Sequence, residues 1–277
     1  MPTRSRAYHR PAGLAEAVAT LGEDPAGSAP LLLGPRPPVG VFPDRAHLVD
    51  IADLELTGIS EAGAGRLSLG AALPLQAFIE DPRLSTLADG VLAGAARFAC
   101  HLGLRHVATL GGALLNPTSP PEIGLVLLAL QASVVTLGKA RHETQLMNFA
   151  PTPGELPIAV TLAADPAQRG ALMRVARSPR DRAIVTAVAV LIVTGEVCRD
   201  GRLAVAGASP QPLCLTAAEL GLAGQALTPE RGANAAEAVR QASRPVGDYL
   251  GSAAYRREMA GVLTGRALAG AWRRAQS

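Results

Sequence analysis

Arg105-His106-Val107-Ala108-Thr109-Leu110-Gly111-Gly112-Ala113, with Pro120-Pro121-Glu122 after a short gap, is the stretch on which the reading of this 277-residue chain turns. A small hydroxyl residue two positions before a Gly-Gly pair leaves backbone N–H groups unshielded, and such a turn can cradle a phosphate through main-chain hydrogen bonds. The same residues also make a tight structural turn, and the sequence leaves both readings open. Glu122 is open in the same way, as a ligand contact or as an N-terminal helix charge favoured by the macrodipole.

Outward from that stretch, the chain reads as αβ in its first half, then β followed by α. Leu14, Val18 and Leu21 sit at helical spacing, so residues 13–22 are expected to form an amphipathic helix. Leu31-Leu32-Leu33 and Leu48-Val49-Asp50-Ile51 are short apolar runs bounded by Pro and Gly, the pattern of buried strands. Leu67, Leu69 and Ala71 alternate and predict another strand after Gly63-Ala64-Gly65. That GxG precedes a strand instead of opening a helix, the reverse of a dinucleotide fingerprint. Residues 84–102 read as an Ala-rich helix, Ile123 to Leu130 as a buried helix and Ser133 to Leu137 as a strand. Periodicity is lost over 138–154, which marks the domain boundary near residue 150.

Beyond it, strands are expected at Leu156–Leu162, Leu172–Ala176, Ala183–Val193 and Leu203–Ala206, with a turn over Glu196 to Gly201. Helices are expected at Thr216–Gly221, Pro229–Ala242 and after Ser252, an N-cap followed by Tyr255, Met259, Val262 and Leu263 on one face.

The 48 % hydrophobic content supports real cores, and 18 % charge is too low for a disordered chain. Aromatics are only 3 %, which leaves few stacking platforms for single-stranded nucleic acid. Net charge is +3, with Lys139 the one lysine and no basic run longer than two residues, so no nucleic-acid partner is indicated. Cys100, Cys198 and Cys214 are far apart and show no CxxC spacing, which argues against a disulfide framework, a zinc site or an iron–sulfur site on this chain. His101 and His106 bracket the central turn without a third ligand. Met1 to Arg10 is polar with no apolar run after it, and Ala183 to Val193 is half a membrane span. The expectation is a cytoplasmic protein with no membrane segment.

Several stretches, in order, resemble the FAD-binding (medium) subunits of the molybdenum hydroxylases, the family of xanthine dehydrogenase and aerobic carbon monoxide dehydrogenase. Tyr8-His9-Arg10-Pro11 with Leu14-Ala15-Glu16-Ala17 is similar to its opening strand and helix. His47-Leu48-Val49-Asp50-Ile51 and Leu67-Ser68-Leu69-Gly70-Ala71 are similar to its next strands. Arg105 to Gly112 resembles the second FAD loop, and Asp181-Arg182-Ala183-Ile184-Val185 the start of a long strand in the C-terminal domain. Ser252-Ala253-Ala254-Tyr255-Arg256 resembles the closing helix.

The resemblance implies an α+β architecture: a two-lobed, PCMH-type FAD-binding region over 1–150 and an antiparallel sheet with helices over 151–277. It implies FAD as cofactor, held through Gly34 of a first loop, where Arg36 is this chain's own candidate phosphate contact, and through Thr109, Gly111, Gly112 and Glu122 of the second. It implies partners as well, a molybdopterin-containing large subunit and a small subunit with [2Fe–2S] clusters. The chain departs from the family pattern in both loops. Leu33-Gly34-Pro35-Arg36-Pro37-Pro38 stands where Ala-Gly-Gly-Thr is usual, and three prolines remove N–H donors; Arg36 offers a charged fork in their place. Ala113 replaces an Asn, Glu122 an Asp, and Leu172-Met173-Arg174 stands where an aromatic-x-Lys pair commonly approaches the flavin. These departures support a second reading, a flavin-free descendant kept as a scaffold or regulatory subunit or repurposed as a non-redox binding protein or enzyme. A free-standing flavoprotein is the third.

Overall fold

The computed structural model describes residues 7–23, 28–31, 47–115, 120–179, 181–217 and 219–276. In chain order these form β1 (Ala7–His9), α1 (Leu14–Glu23), β2 (Ser28–Leu31), β3 (His47–Asp50), β4 (Ile59–Glu61) and β5 (Arg66–Gly70). Next come α2 (Ala77–Glu80), α3 (Pro82–Ser85), α4 (Val91–Ala99), α5 (Leu102–Arg105), α6 (Leu110–Leu115), α7 (Glu122–Ala129), β6 (Ser133–Leu137) and β7 (Arg141–Gln145). The rest is β8 (Leu156–Ala163), β9 (Gln168–Val175), β10 (Val185–Thr194), β11 (Val197–Ala206), β12 (Leu213–Thr216), β13 (Gln225–Ala226), α8 (Pro229–Ala242) and α9 (Ala253–Ala275). The mixture is α+β, and its contacts divide the chain into two interleaved units: 1–77, 100–119 and 132–163 in one, 78–99, 120–131 and 164–277 in the other.

The first unit holds two sheets. One is parallel, in the order β1-β3-β2; the other is antiparallel, in the order β4-β5-β8-β6-β7. Helix α1 forms because Leu14, Ala17, Val18 and Leu21 share one face, and that face packs with Val49, Ile51, Leu54 and Leu156 into a core. Its first turn is closed by Glu16, which accepts from the Ala12 N–H at 2.9 Å. The Gly63-Ala64-Gly65 segment joins β4 to β5 with all three residues at positive φ, so its glycines serve a hairpin. Strand β7 pairs with β6 at the sheet edge and is exposed along most of its length. With neither face buried it carries no hydrophobic alternation, which is why the sequence there reads as structureless.

The second unit is built on the sheet β12-β11-β10-β9, with β13 paired to β11. Central β10 is buried from Val185 to Leu191, so its continuous apolar run is a sheet interior. Helix α9 lies along β9 and β10 and against α8, while α4 and α7 also contact the sheet. Thr228 caps α8 through the Arg231 N–H, with Pro229 at its first position, and Ser252 caps α9 through the Tyr255 N–H.

Four local expectations change. The helix anticipated over 84–102 is broken: Asp81 caps α3, then Ala88, Asp89 and Gly90 take positive φ before α4 begins. Thr109 to Gly112 is the start of α6 instead of a free turn. The β10–β11 hairpin turns at Gly195-Glu196, Gly195 having φ +60°, so β11 already starts at Val197. Thr216 ends β12 and the described residues of 217–221 form a turn instead of a helix, held by a reciprocal pair in which Glu219 accepts from the Thr216 N–H and hydroxyl at 2.7 and 2.8 Å and the Thr216 hydroxyl accepts from the Glu219 N–H at 3.2 Å.

Candidate functional site

In the first unit the segment from Arg105 to Ala113 is lashed to the chain that follows β5. The Leu75 N–H donates to Ala108 O at 2.9 Å, Gln76 N–H to Arg105 O at 3.0 Å and Leu110 N–H to Leu73 O at 2.9 Å. The Arg105 side chain completes the frame, giving Nε to Gln76 Oε1 at 2.9 Å and Nη1 to the Cys100 carbonyl at 3.1 Å. Thr109 stands as the cap of α6, its hydroxyl accepting from the Gly112 N–H at 3.1 Å. The Gly111 N–H donates to Ala71 O at 2.8 Å.

These contacts test the fit to a pyrophosphate. The N–H groups of Leu110, Gly111 and Gly112 all serve acceptors inside the unit, so they are not an open cradle of main-chain donors. What remains is a half-buried threonine at a fixed position beside two residues with no Cβ. Two glycines in a six-residue helix cost about 1 kcal/mol each against alanine, and a residue without a Cβ lets another group come close to the backbone. The fit on this side is therefore partial: residue types and framing suit the flavin nucleotide, free amide donors do not. Gly34 and Arg36 lie outside the described residues.

In the second unit Glu122 opens α7 and is fully buried. Its Oε1 lies 3.1 Å from Nε of Arg174 on β9, a charge contact instead of an aligned hydrogen bond. Arg174 is itself 7 % exposed; it lies 4.9 Å over the Phe98 ring and donates Nη1 to Pro179 O at 3.0 Å and Nη2 to Asp181 O. Burial pushes the Glu122 carboxyl above the usual carboxylate range, opposed by the charges of Arg174 and Arg182. Glu122 thus sits near its helix N-terminus as a buried, ion-paired group. No local pattern signals this pairing, since Phe98, Glu122 and Arg174 come from three separate elements.

The remaining candidates are inert or exposed. Burial pushes the Cys100 and Cys198 thiols up to about 11 and raises that of Cys214, away from thiolate chemistry at neutral pH. His101 and His106 are exposed. No cluster of His, Cys, Asp and Glu suited to a metal occurs among the described residues. No described helix is long and apolar enough to cross a membrane.

The model of the FAD binding domain in molybdopterin dehydrogenase matches residues 3–158, more than half of the chain. The chain belongs to that family. The CO dehydrogenase flavoprotein C-terminal domain matches residues 171–271 of this molybdopterin dehydrogenase flavin subunit. The carbon monoxide dehydrogenase medium chain of Afipia carboxidovorans is 29 % identical over 98 % of this chain and 98 % of its own length. Among solved structures, the carbon monoxide dehydrogenase from Hydrogenophaga pseudoflava that lacks the Mo-pyranopterin moiety of the molybdenum cofactor matches with TM-score 0.89 at 28 % identity, over 99 % of both chains. Quinoline 2-oxidoreductase from Pseudomonas putida 86 matches with TM-score 0.87 at 25 % identity, over the full length of both. Two of this flavin subunit's departures from the family wording, Glu122 and Arg174, are in contact with each other.

Proposed function

We propose that the chain binds FAD and relays electrons as the medium subunit of a molybdenum hydroxylase complex, beside a molybdopterin-containing large subunit and a [2Fe–2S] small subunit. The observation that carries this reading is the presence of both family domains along nearly the whole chain. Bound FAD supplies the redox chemistry, and the protein supplies binding, orientation and electrostatics.

On this reading Thr109, Gly111 and Gly112 hold one side of the pyrophosphate by close backbone approach and the threonine side chain. Gly34 and Arg36 take the other side, Arg36 replacing by a charged fork the donors that Pro35, Pro37 and Pro38 lack. Residues 1–150 form the flavin-binding region and 151–277 the C-terminal domain, a division that the bounds of the family matches support. The complex works in the cytoplasm. A flavin-free descendant is the weaker reading, since the framed Thr109-Gly111-Gly112 segment keeps the family's residue types.

Reconstitution tests the function. The purified chain incubated with excess FAD and passed through a desalting column retains flavin, and coexpression with its two partner subunits yields a three-subunit complex. Loss of all flavin on the column overturns the reading.

A further inference from the structure

The second unit contains a buried assembly that joins three elements and ends on a loop. Glu122 at the start of α7 has no exposed surface, and both of its oxygens lack an aligned hydrogen bond. Among the described residues its close cation is Nε of Arg174, at 3.1 Å. The other two nitrogens of that guanidinium donate to the carbonyls of Pro179 and Asp181. Phe98 of α4 supports the guanidinium at 4.9 Å. A planar fork fixed at one edge by a carboxylate and on one face by a ring has little freedom left, so its remaining donors hold their acceptors in place.

Those acceptors belong to the β9–β10 connection, residues 176–184. The connection exposes Arg177, Asp181 and Arg182, and the charge of Arg182 also reaches Glu122. One buried carboxylate therefore sits beside an inward arginine whose other two nitrogens clamp the connection.

We propose that Glu122 is a positioning residue, which acts through Arg174 to fix the 176–184 connection instead of touching the flavin nucleotide. The inference deepens the FAD reading above and rests on it only for the second of the two readouts that follow.

The first readout is amide hydrogen exchange of the full chain without cofactor. Arg174→Met removes both carbonyl contacts and raises exchange across 176–184 by about tenfold or more, with β10 and β11 unchanged. Glu122→Gln keeps the shape but frees the fork at one edge, and gives a smaller rise in the same segment. Arg174→Lys keeps the charge without the fork and fails to restore protection. The paired change Glu122→Gln with Arg174→Met leaves no buried charge unpaired, so it folds if either single variant does not, and it shows the full rise. The second readout is FAD affinity, which stays near the parent value in Glu122→Gln, because that carboxylate does not touch the nucleotide.

Unchanged exchange over 176–184 in Arg174→Met and in the paired variant overturns the proposal. So does a Glu122→Gln protein that loses FAD affinity with a fully protected connection, because Glu122 then contacts the cofactor directly. If the parent chain takes up no FAD, the functional reading fails while the exchange data still decide the positioning claim.

Discussion

Nη2 of Arg256, in the first turns of α9, donates to Oδ1 of Asp248 at 2.7 Å while its Nη1 donates to the main-chain carbonyl of Ile184, just before β10. Arg256 is 6 % exposed, so the closing helix is pinned to the central strand by a buried fork. Lysine has neither the fork nor the reach to serve both acceptors. Arg256→Lys is expected to lower stability by about 2 kcal/mol, the cost of leaving a buried carbonyl unpaired and loosening a half-exposed ion pair. A urea midpoint equal to that of the parent contradicts this role.

The same clasp dictates Gly207. Its φ is +78°, and a Cβ there would stand 2.2 Å from the Ile184 carbonyl oxygen and 3.1 Å from Nη1 of Arg256. Gly207→Ala combines left-handed strain with a backbone clash and is expected to cost more than about 2 kcal/mol. Thermal melts of Gly207→Ala and Gly195→Ala make the comparison. Gly195 also has positive φ but has nothing within 4 Å of its Cβ position, so its substitution costs only the strain.

The pH dependence of stability has a definite sign at Glu122. Burial raises its carboxyl above the ordinary glutamate value of 4.5, so the folded chain binds this proton more tightly than the unfolded chain. Its contribution to stability is therefore present below 4.5 and is lost as pH rises through the raised folded value. In Glu122→Gln that slope disappears. Urea midpoints of parent and variant from mildly acidic to neutral pH check it, and parallel curves contradict it.

At the front of α6, Thr109→Ala removes the oxygen that accepts from the Gly112 N–H and is expected to cost about 1 kcal/mol, while Thr109→Ser retains the cap. Both are measured by thermal denaturation and by FAD titration. On the proposed function the two readouts move together for Thr109→Ala, and Thr109→Ser stays near the parent in each.

How far the sequence could be read follows from where each signal is stored. Helix α1, β10 and the capped helices α8 and α9 were legible because their apolar spacing and cap residues are local. Strand β7 was not, since an edge strand exposed on both faces loses the alternation that marks a strand. The break at Ala88 to Gly90 was hidden for another reason: those residues take left-handed backbone where the carbonyl of Ala88 crowds Gly170 on β9, and Asp89 accepts the Gly170 N–H at 3.2 Å. That contact is tertiary. At the site, Thr109, Gly111 and Gly112 stood out as residue types, but the engagement of the Leu110 and Gly111 amides by Leu73 and Ala71 depends on a segment more than thirty residues earlier. The Glu122–Arg174 contact is legible only once α7 and β9 are brought together.

The central claim is that this chain carries FAD against the Thr109–Gly112 segment, and flavin retention by Gly112→Asp beside the parent tests it most directly. The parent is expected to hold about one flavin per chain after desalting. The variant, shown by its melt to be folded, sets an anionic side chain against the pyrophosphate and is expected to lose roughly a hundredfold in affinity, as like charges do at close range in a partly buried site. A parent with no flavin, or a folded variant that binds FAD as tightly as the parent, contradicts the account.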